Sequence, residues 1–586
     1  MGFTFIMLVM KFGGTSVGGP AAIENLIQIA APRSGARVVV VSAFSGVTDS
    51  LIDAAKAAGR GESFDTILTA LAARHKEAAK ALLDGGSRST ILAGMNTLFA
   101  ELHRVLDGIF ILKELSPRSL DYIMSFGERL SAALIAECFK TRGRNAEYLD
   151  SRLLIKTDNR HGNAKIFMEE SCKNIKNYIA EHKTLQIAAG FIASTHDGAT
   201  TTLGRGGSDY TAAIFGAALD AHRVEIWTDV DGILTADPKM VKNAFCIDEI
   251  SYSEAVEMSH FGAKVLYPPT VQPLLEKKIP VWIGNSFKPE AKGTLISDKK
   301  SSNQWPIRGI SSFGNIVLAG VQGTGMVGVA GFSSRLFGTL ARRGINVILI
   351  TQASSEYSIC FAIMPNDTAE AVAAIEEEFA LEIRSGLLEK PSVEQNLAII
   401  AVVGENMKDT SGISGKVFYA LGRNGVNVVA IAQGSSEINI SAVVAKQDEC
   451  KALNAIHEAF FLSGVRSVNL FLVGCGLIGG TLLEQIAAQR ETLASRYKTR
   501  INICGLANSR TMVFDAAGLE PDKTKALLSA SSTPFEIDNF VRQMKDFNLP
   551  NSCFCDCTAS ETVAAVYETV LQSAISIVTP NKKANS

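Results

Sequence analysis

Residues 202–212 read TLGRGGSDYTA and run directly into the helical pattern AIFGAALDA. Glycines let backbone N–H groups approach an anion closely, and the first turn of a helix adds partial positive charge at the same place. Arg205 offers a two-pronged donor for a carboxylate or phosphate, and Asp209 can orient a cation. The stretch predicts an anion site before a helix, although a tight turn capped by Ser208 or Asp209 would use the same residues.

Two further polar turns follow apolar strands earlier in the chain. Residues 11–19 (KFGGTSVGG) follow the first strand, and residues 42–49 (SAFSGVTD) follow the strand ARVVVV. The first turn is typical of a phosphate cradle, but it lacks the GK[ST] ending of a Walker A loop. Ligands bind at the carboxyl ends of strands in open α/β sheets, so both turns are candidates for a binding site.

Strands and helical patterns alternate through the first half of the chain. Residues 50–115 are rich in helix formers, and SFGERLSAALIAECF places Glu128 where a helix is predicted to begin, with its charge favourable for the first turn. LQIAAGFIAS predicts a buried strand, and VEIWTDVDGILTADPK predicts a strand that ends in a polar turn. This alternation predicts an α/β fold with a mostly parallel sheet and helices on both faces.

Composition excludes several classes of protein. The chain has 586 residues, enough for three or four domains, and a formal net charge of -2, which argues against nucleic acid or an anionic membrane as partner. Its ten cysteines lack zinc-type spacing, so no metal site is predicted. Cys553, Cys555 and Cys557 predict free thiols on one strand face, which favours a cytoplasmic location. The apolar opening is too short to span a bilayer and lacks the basic start of a signal peptide.

Six motifs, in order and spacing, resemble aspartate kinase of the amino-acid-kinase family: KFGGTSV, SAFSGVTD, FGERLS, TLGRGGSDYTA, WTDVDGILTADP and FGAKVLYP. The resemblance covers about residues 7 to 297, so a kinase domain is predicted over residues 1–297. It implies ATP-dependent phosphorylation of L-aspartate to 4-phospho-L-aspartate, with Mg²⁺ on the phosphates. The aspartate carboxylate is ionised at neutral pH, so this chemistry needs no strong general base.

The resemblance also implies roles for matching residues. Lys11, Asp209 and Lys264 would be catalytic. The residues that would bind aspartate are Ser42, Thr48, Glu128, Arg205 and Ser208, with Arg205 on a carboxylate and Glu128 near the ammonium. The residues that would bind ATP are Lys11, Gly13, Gly14, Thr15, Ser16, Thr228, Asp229, Lys239 and Lys264. The chain departs from the family at Leu234 and Lys239, where the family usually has Tyr and Arg, and both departures bear on ATP rather than aspartate.

An internal repeat follows the kinase region. NVILITQASSEYSICFAI and NVVAIAQGSSEINISAVV match at an offset of 81 residues, which pairs Gly344 with Gly425 and Gln352 with Gln433. Each copy predicts a strand, a helix and two more strands, and the copies resemble a pair of ACT domains, here over residues 308–465. The resemblance implies feedback regulation by an amino acid, with Gln352 and Gln433 as effector contacts, and assembly into a homo-oligomer. Two purely structural modules are the alternative.

A dinucleotide-binding pattern begins at Ser467. Gly474, Gly476 and Gly479 lie between an apolar strand and a helix, as the fingerprint requires. The second strand ends in Asn508, Ser509 and Arg510 instead of an acidic residue, which favours NADP over NAD. Residues 467–586 resemble part of the cofactor domain of homoserine dehydrogenase, fused behind a kinase as in the bifunctional aspartokinase–homoserine dehydrogenases.

The dehydrogenase pattern stops at Ser586 before the family's catalytic half, so we expect weak NADP(H) binding and no homoserine dehydrogenase activity from this chain. Threonine is the expected effector, with lysine as the alternative. A different class of function, an amino-acid sensor with a degenerate kinase, is favoured by Leu234 and Lys239 and opposed by the intact lysines, Glu128, Arg205 and Asp209.

Overall fold

The computed structural model describes residues 7–33, 35–260, 267–299, 305–352, 357–408, 410–461 and 466–584. These residues form two compact units. The first contains the described residues of 1–234 and 246–302, and the second contains 235–245 and the described residues after 303. The segment 235–245 therefore packs with the second unit although it lies within the range predicted for the kinase. Lys264 lies outside the described residues.

The first unit is built around one large sheet. Its strands are β1 (Leu8–Phe12), β2 (Ala36–Val41), β3 (Ala146–Leu149), β4 (Leu185–Ala189), β5 (Ile192–Ser194), β6 (Thr200–Thr202), β7 (Arg223–Thr228), β8 (Glu249–Ser251), β9 (Val281–Asn285) and β10 (Thr294–Ser297). Eight of them form a sheet in the order β3-β4-β2-β1-β7-β9-β10-β8. Only the β9–β10 pair is antiparallel among its described neighbours, which confirms the mostly parallel sheet.

Helices cover both faces of this sheet. They are α1 (Pro20–Ala30), α2 (Val47–Gly59), α3 (Asp65–Leu82), α4 (Gly85–Leu112), α5 (Pro117–Thr141), α6 (Met168–Glu181), α7 (Gly207–Ala218), α8 (Tyr252–His260) and α9 (Pro268–Glu276). Met10 and Phe12 of β1 pack with α1–α5, whereas Val9, on the opposite face, is equally buried. Strands buried on both faces explain the continuous apolar runs in the sequence.

Two sequence predictions need correction here. Glu128 is not at a helix start: it lies in the middle of α5, which begins at Pro117, because the preceding residues continue the apolar helical pattern. The predicted strand 185–194 is broken after Ala189, where Phe191 adopts a positive φ of 69°. β5 then pairs with β6 in a separate two-stranded sheet that leads into residues 203–207.

The second unit contains two sheets. Its strands are β11 (Gly309–Gln322), β12 (Leu349–Gln352), β13 (Ser358–Ile363), β14 (Ser392–Val403), β15 (Val428–Gln433), β16 (Asn439–Ala445), β17 (Arg466–Val473), β18 (Thr499–Ala507), β19 (Met512–Leu519), β20 (Ser552–Asp556) and β21 (Ser576–Val578). Its helices are α10 (Phe332–Arg342), α11 (Thr368–Glu378), α12 (Ala380–Arg384), α13 (Ile413–Arg423), α14 (Glu449–Phe461), α15 (Leu477–Ser495), α16 (Thr524–Ala530), α17 (Ile537–Phe547), α18 (Glu561–Ala564) and α19 (Tyr567–Gln572).

The two repeat copies share one sheet in the order β12-β13-β11-β14-β16-β15, and they are interleaved. The first half of β11, Gly309–Gly314, pairs with the last part of β14 and packs in the core of the second copy. The second half of β11 pairs with β13 in the core of the first copy. The two copies therefore share one continuous sheet, in which the long strands β11 and β14 each pair within both copies.

The last part of the chain is a five-stranded sheet in the order β19-β18-β17-β20-β21. β17, β18, β20 and β21 are parallel, and β19 is an antiparallel edge strand. The three alternating thiols lie on β20 and the residue after it, and each of the ten cysteines is free, as predicted. A search of the described helices finds none that combines the length and apolarity needed to cross a bilayer.

Candidate active site

The carboxyl ends of β1 and β2 meet the start of α7 in the first unit. Lys11, near the end of β1, extends its Nζ to within 2.6 Å of Asp209 Oδ1 in the first turn of α7. Both side chains are largely buried. The residue before α7 is Gly206, so the alternative of a cap by Ser208 or Asp209 is wrong, and both residues lie inside the first turn. The helix therefore presents its first turn to a cavity and not to a capping side chain.

This cavity has a volume of about 350 Å³. Backbone and side chains of the three polar turns line it: Lys11, Gly14, Ser42, Ala43, Phe44, Ser45, Gly46, Thr48, Asp49, Glu128, Phe191, Gly204, Gly206, Gly207, Ser208 and Asp209. The cavity thus brings together seven of the predicted site residues: Lys11, Gly14, Ser42, Thr48, Glu128, Ser208 and Asp209. The site is polar, and it is large enough for a small amino acid beside a phosphoryl group.

Glu128 is the most unusual side chain in this cavity. It is only 3% exposed, and its Oε1 accepts a hydrogen bond from the Ala43 backbone N–H at 3.1 Å. Its other oxygen, Oε2, has no hydrogen-bond partner among the described residues. Burial raises the pKa of Glu128 to about 8, a rise that the Ala43 hydrogen bond limits. A buried, unpaired carboxylate oxygen in a cavity is suited to receiving a cationic group of a ligand.

The loop before α7 can only be built from glycine at its tightest point. Gly204 and Gly206 have φ values of 69° and 71°, a region that other residues rarely adopt. A Cβ on Gly207 would lie 2.6 Å from the ring of Phe191. These glycines let the backbone turn sharply against Phe191 and bring Ser208 and Asp209 to the cavity.

Asp121 supports this loop from beneath, although no sequence pattern predicted it. It is completely buried on α5, seven residues before Glu128. Its carboxylate accepts hydrogen bonds from Thr202 Oγ1 at 2.6 Å, from the Thr202 N–H at 3.2 Å and from the Gly162 N–H at 3.0 Å. His161 Nδ1 lies 2.9 Å from it. A single carboxylate in a helical pattern gives no sequence signal for this role.

Arg205 is placed differently from the other predicted aspartate ligands. Its side chain is exposed, and its guanidinium lies 5.7 Å from the centre of the Tyr267 ring. Arg205 does not line the cavity in this structure. It belongs to the same loop as Gly204 and Gly206, so a rotation of its long side chain is the movement that would bring it to a ligand.

The predicted nucleotide side lies along the ends of β1, β7 and β9. The Gly13 N–H donates to the Trp227 carbonyl oxygen at 3.0 Å. Ser286 Oγ donates to Ser16 Oγ at 2.7 Å, which joins the first glycine turn to the end of β9. Thr15 is exposed, and Thr228 Oγ1 donates to Asp229 Oδ1 at 3.1 Å. Lys239 belongs to the segment that packs with the second unit.

A second, smaller cavity lies in the first repeat copy. Its volume is about 140 Å³, and it is lined by Met326, Val329, Gly331, Phe332, Ser333, Gln352 and Ile359. At the 81-residue offset, five of these seven positions carry the same residue in the second copy, whereas Val329 and Phe332 correspond to Thr410 and Ile413. Gln352 and Gln433 end β12 and β15, and both are exposed. The repeat thus reproduces most, but not all, of the residues around Gln352.

The dinucleotide turn follows β17. Gly474 has a φ of 100°, and a Cβ there would lie 2.8 Å from the Cys557 carbonyl oxygen. A Cβ on Gly479 would lie 2.0 Å from the Gly474 carbonyl oxygen, whereas Gly476 faces open space. Arg510 is exposed in the turn between β18 and β19. The glycines form a cradle that suits a pyrophosphate at the start of α15.

Comparisons with known proteins agree with these three regions. Residues 7–285 match the amino acid kinase family. Residues 320–379 and 400–460 match the ACT domain, and residues 474–586 match the NAD-binding domain of homoserine dehydrogenase. These matches confirm the predicted fold class, which combines an amino-acid-kinase fold, ACT domains and a Rossmann-type domain.

Two curated relatives and one crystal structure are similar over long stretches. The chloroplastic bifunctional aspartokinase/homoserine dehydrogenase 2 of Arabidopsis thaliana is 37% identical over 99% of this chain, which spans 64% of that relative's length. The bifunctional enzyme of Haemophilus influenzae is 36% identical, with 99% and 72% covered. The structure of Escherichia coli aspartokinase III with aspartate and ADP (R-state) superimposes with a TM-score of 0.67 and 32% identity, covering 78% of this chain and all of that one. The chain belongs to the bifunctional aspartokinase/homoserine dehydrogenase family.

Proposed function

We propose that the first unit is an aspartate kinase, which transfers the γ-phosphoryl group of Mg·ATP to the side-chain carboxylate of L-aspartate. One observation carries the proposal: a single cavity joins the Lys11–Asp209 pair to the unpaired, buried Oε2 of Glu128. A phosphoryl group needs positive charge and positioning, and an amino acid needs an anionic partner for its ammonium. The similarity to a kinase crystallised with aspartate and ADP supports the same assignment.

The aspartate end of the site is assigned from charge and hydrogen-bonding capacity. Glu128 Oε2 would accept a hydrogen bond from the substrate ammonium, and the ammonium would then supply the partner that this oxygen lacks. Arg205 would turn from the Tyr267 ring to hold the α-carboxylate in a two-pronged contact. The hydroxyls of Ser42, Thr48 and Ser208 supply neutral donors around the remaining oxygens.

The phosphoryl end uses the cationic and backbone donors. Lys11, together with Lys264, would neutralise the charge on the transferring group, and the Gly13 and Gly14 backbones would approach its oxygens. Asp209 keeps Lys11 in place before the nucleotide arrives. The remaining nucleotide contacts are assigned to Thr15, Ser16, Thr228, Asp229 and Lys239. The attacking carboxylate is already ionised, so no residue has to remove a proton.

Magnesium is assigned to the substrate and not to the protein. The described residues include no group of three or more His, Cys, Asp or Glu side chains that could hold a metal ion. The ion would arrive on the ATP phosphates, where it bridges oxygens and offsets their charge.

We also propose that an amino acid regulates the kinase through the ACT pair. The small cavity beside Gln352 has a volume suited to a compact amino acid, and the second copy repeats five of its seven lining residues, Gln433 among them. Threonine is the proposed effector, with lysine as the alternative. A ligand that binds one arrangement of the modules more tightly would shift their equilibrium and the kinase rate with it. Homo-oligomer formation through the ACT pair is part of this proposal.

The Rossmann-type domain is proposed to bind NADP(H) weakly. The Gly474–Gly479 turn would hold the pyrophosphate, and Arg510 would pair with the 2′-phosphate. The bound cofactor would supply hydride transfer. The expectation that this chain does not oxidise homoserine stays a prediction.

The kinase proposal is tested by ADP release from purified protein with Mg·ATP and a panel of amino acids. We expect turnover with L-aspartate only, and a product that hydroxylamine converts to a hydroxamate because it is an acyl phosphate. Arg205→Ala should lose about 2–4 kcal/mol of transition-state binding, or roughly 30- to 1,000-fold in kcat/KM for aspartate. Arg104→Ala, an exposed arginine on α4, is the matched control. If none of the amino acids in the panel supported ADP release, the amino-acid sensor would be favoured instead.

A further inference from the structure

Arg74 on α3 connects the two turns that line the kinase cavity. Its Nη1 donates to the Ser45 carbonyl oxygen at 2.7 Å, and its Nη2 donates to the Gly18 carbonyl oxygen at 2.9 Å. Gly18 belongs to the glycine turn after β1, and Ser45 belongs to the turn after β2. One planar guanidinium therefore bridges the turn assigned to the phosphates and the turn assigned to aspartate.

Helix α3 also contacts Phe44, the residue next to Ser45 in the second turn. The ring of Phe44 stacks on the ring of His75 with a centroid distance of 4.6 Å and an angle of 9°. The Arg74 guanidinium lies 5.7 Å from the centre of the same Phe44 ring. His75 is fixed in turn by Nδ1, which is 2.8 Å from the Leu71 carbonyl oxygen. Successive residues of α3 thus hold both the backbone and the side chain of the second turn.

The held segment leads directly to the substrate residues. Ala43, next to Phe44, donates its N–H to Glu128 Oε1. The Ser45 N–H donates to the Gly14 carbonyl oxygen at 3.1 Å, so the two turns also touch each other inside the cavity. Arg74 itself does not line the cavity. Any effect of Arg74 on catalysis must therefore pass through the positions of these turns.

We propose that Arg74 is a positioning residue for phosphoryl transfer, because it sets the separation between the nucleotide turn (Gly13–Gly19) and the amino-acid turn (Ser42–Asp49). The inference rests on the proposed kinase function. Reacting atoms must lie about 3–3.5 Å apart, and a misplacement of about 1 Å can cost roughly 10²-fold in rate. The planar fork of arginine holds two carbonyl oxygens on different turns at a fixed separation, whereas the three donors of a lysine ammonium share one nitrogen on a flexible stem.

The kinetic test uses the full chain with Arg74→Ala and Arg74→Lys. We expect kcat for aspartate phosphorylation to fall about 10²-fold in the alanine variant, with separately measured dissociation constants for Mg·ATP and aspartate nearly unchanged. The lysine variant should recover only part of the loss. Millimolar guanidinium should restore activity to Arg74→Ala but not to Lys11→Met. Lys80→Ala, an exposed residue on the same helix, is the control and should behave as wild type. Unchanged kcat in Arg74→Ala would overturn the proposal.

A second measurement separates the clamp from the proposed function. Hydrogen–deuterium exchange should increase in residues 13–19 and 42–49 of Arg74→Ala, with little change in distant strands such as β3. Unchanged exchange in these two turns would overturn the clamp even if activity fell. An equal increase throughout the protein would also overturn it, because a general loss of stability would then be the cause. If wild-type protein released no ADP with aspartate, the proposed function would fail and the catalytic role of Arg74 with it, whereas the exchange result would still decide whether Arg74 joins the turns.

Discussion

Lys11 Nζ lies 2.6 Å from Asp209 Oδ1, and the two side chains are only 10% and 16% exposed. The cation assigned to the phosphoryl group is thus paired with a carboxylate. Because little solvent surrounds the pair, the attraction between the two charges is weakly screened. Asp209 therefore controls the direction of the Lys11 side chain. Asp209 would therefore hold the Lys11 ammonium in position, and a bound nucleotide would contact the same ammonium.

Removing either member of this pair should damage the same step. We expect Lys11→Met and Asp209→Asn each to lower kcat by about 10²- to 10³-fold, which is the usual effect of losing one preorganised electrostatic contact. The double variant should be less impaired than the product of the two losses, because both substitutions disable one unit. Steady-state kinetics of the four proteins measures this coupling. Fully multiplicative losses would show that the two residues act independently.

Glu128 should make substrate binding depend on pH. Its pKa in the folded protein is raised to about 8, so near pH 7 it is mostly protonated. Binding the aspartate ammonium favours the ionised form and should release a proton. We therefore expect kcat/KM for aspartate to rise with pH up to about 8. Titration calorimetry in buffers of different ionisation enthalpy should show proton release in wild type and none in Glu128→Gln.

The same shift predicts an effect on stability. The pKa of Glu128 in the folded protein lies above the ordinary glutamate value of 4.5, so the folded state binds more protons than the unfolded state between these two pH values. Stability from this group is therefore fully present below about pH 4.5 and is lost as pH rises to about 8. Tm should be measured for both proteins as a function of pH. The Tm of Glu128→Gln relative to wild type should be higher above pH 8 than near pH 5. A constant difference would mean that Glu128 does not titrate in this range.

Asp121 should be essential for the shape of the loop before α7. Asp121→Ala leaves the Thr202 and Gly162 donors without their partner, and losing such a buried acceptor should cost about 3 kcal/mol of folding free energy. Denaturant unfolding measures the loss. Asp84→Asn is the matched control, because its carboxylate pairs with Arg88 at the surface and should contribute less than about 1 kcal/mol. Stability unchanged in Asp121→Ala would mean that water replaces the carboxylate.

The effector prediction is tested by ligand-linked stability. Threonine at about 100 times its dissociation constant should stabilise the protein by about 2.7 kcal/mol if one site binds it. It should also inhibit ADP release. Gln352→Ala combined with Gln433→Ala should abolish both effects, whereas Gln447→Ala, an exposed glutamine, should preserve them. Regulation that survives the double substitution would place the effector elsewhere, and a response to lysine alone would change its identity.

Cofactor binding is tested by calorimetric titration with NADPH. We expect weak binding that Gly479→Ala removes, since its Cβ would collide with the Gly474 carbonyl. Arg510→Ala should weaken NADPH without affecting NADH, because only NADPH carries the 2′-phosphate. NADP reduction with homoserine should be absent. Turnover of homoserine would contradict that prediction, and equal affinity for NADH and NADPH would remove Arg510 from the site.

Local patterns in the sequence predicted much of the fold. Polar turns after apolar strands located Lys11, Ser42, Thr48 and Ser208, and the structure brings all four to one cavity. Such patterns report on neighbours along the chain, so they locate a loop better than a side chain's surroundings. The unpaired oxygen of Glu128 depends on how α5 packs against the turn at Ala43, and no local pattern contains that information.

Contacts between residues far apart in the sequence were the least predictable features. The 81-residue repeat correctly indicated two similar modules, but not that β11 and β14 each contribute to both. Likewise, Thr235 lies in the kinase motif WTDVDGILTADP, whereas its hydroxyl is 2.9 Å from His457 Nε2 in the second unit. Pairing over such separations is decided by the packing of complete cores, which no short window of sequence reflects.

The shared strands impose an order on synthesis. Gly309–Gly314 is made before the first regulatory module, but its partner residues, Ala398–Val403, are made only after it. At about 5–20 residues per second, the ribosome leaves this segment without its pairing strand for several seconds. A chain that stopped anywhere between residues 323 and 397 would carry an unpaired strand into solution, with the aggregation hazard of an open sheet edge. Only a chain elongated past Val403 can therefore pair Gly309–Gly314 along its full length.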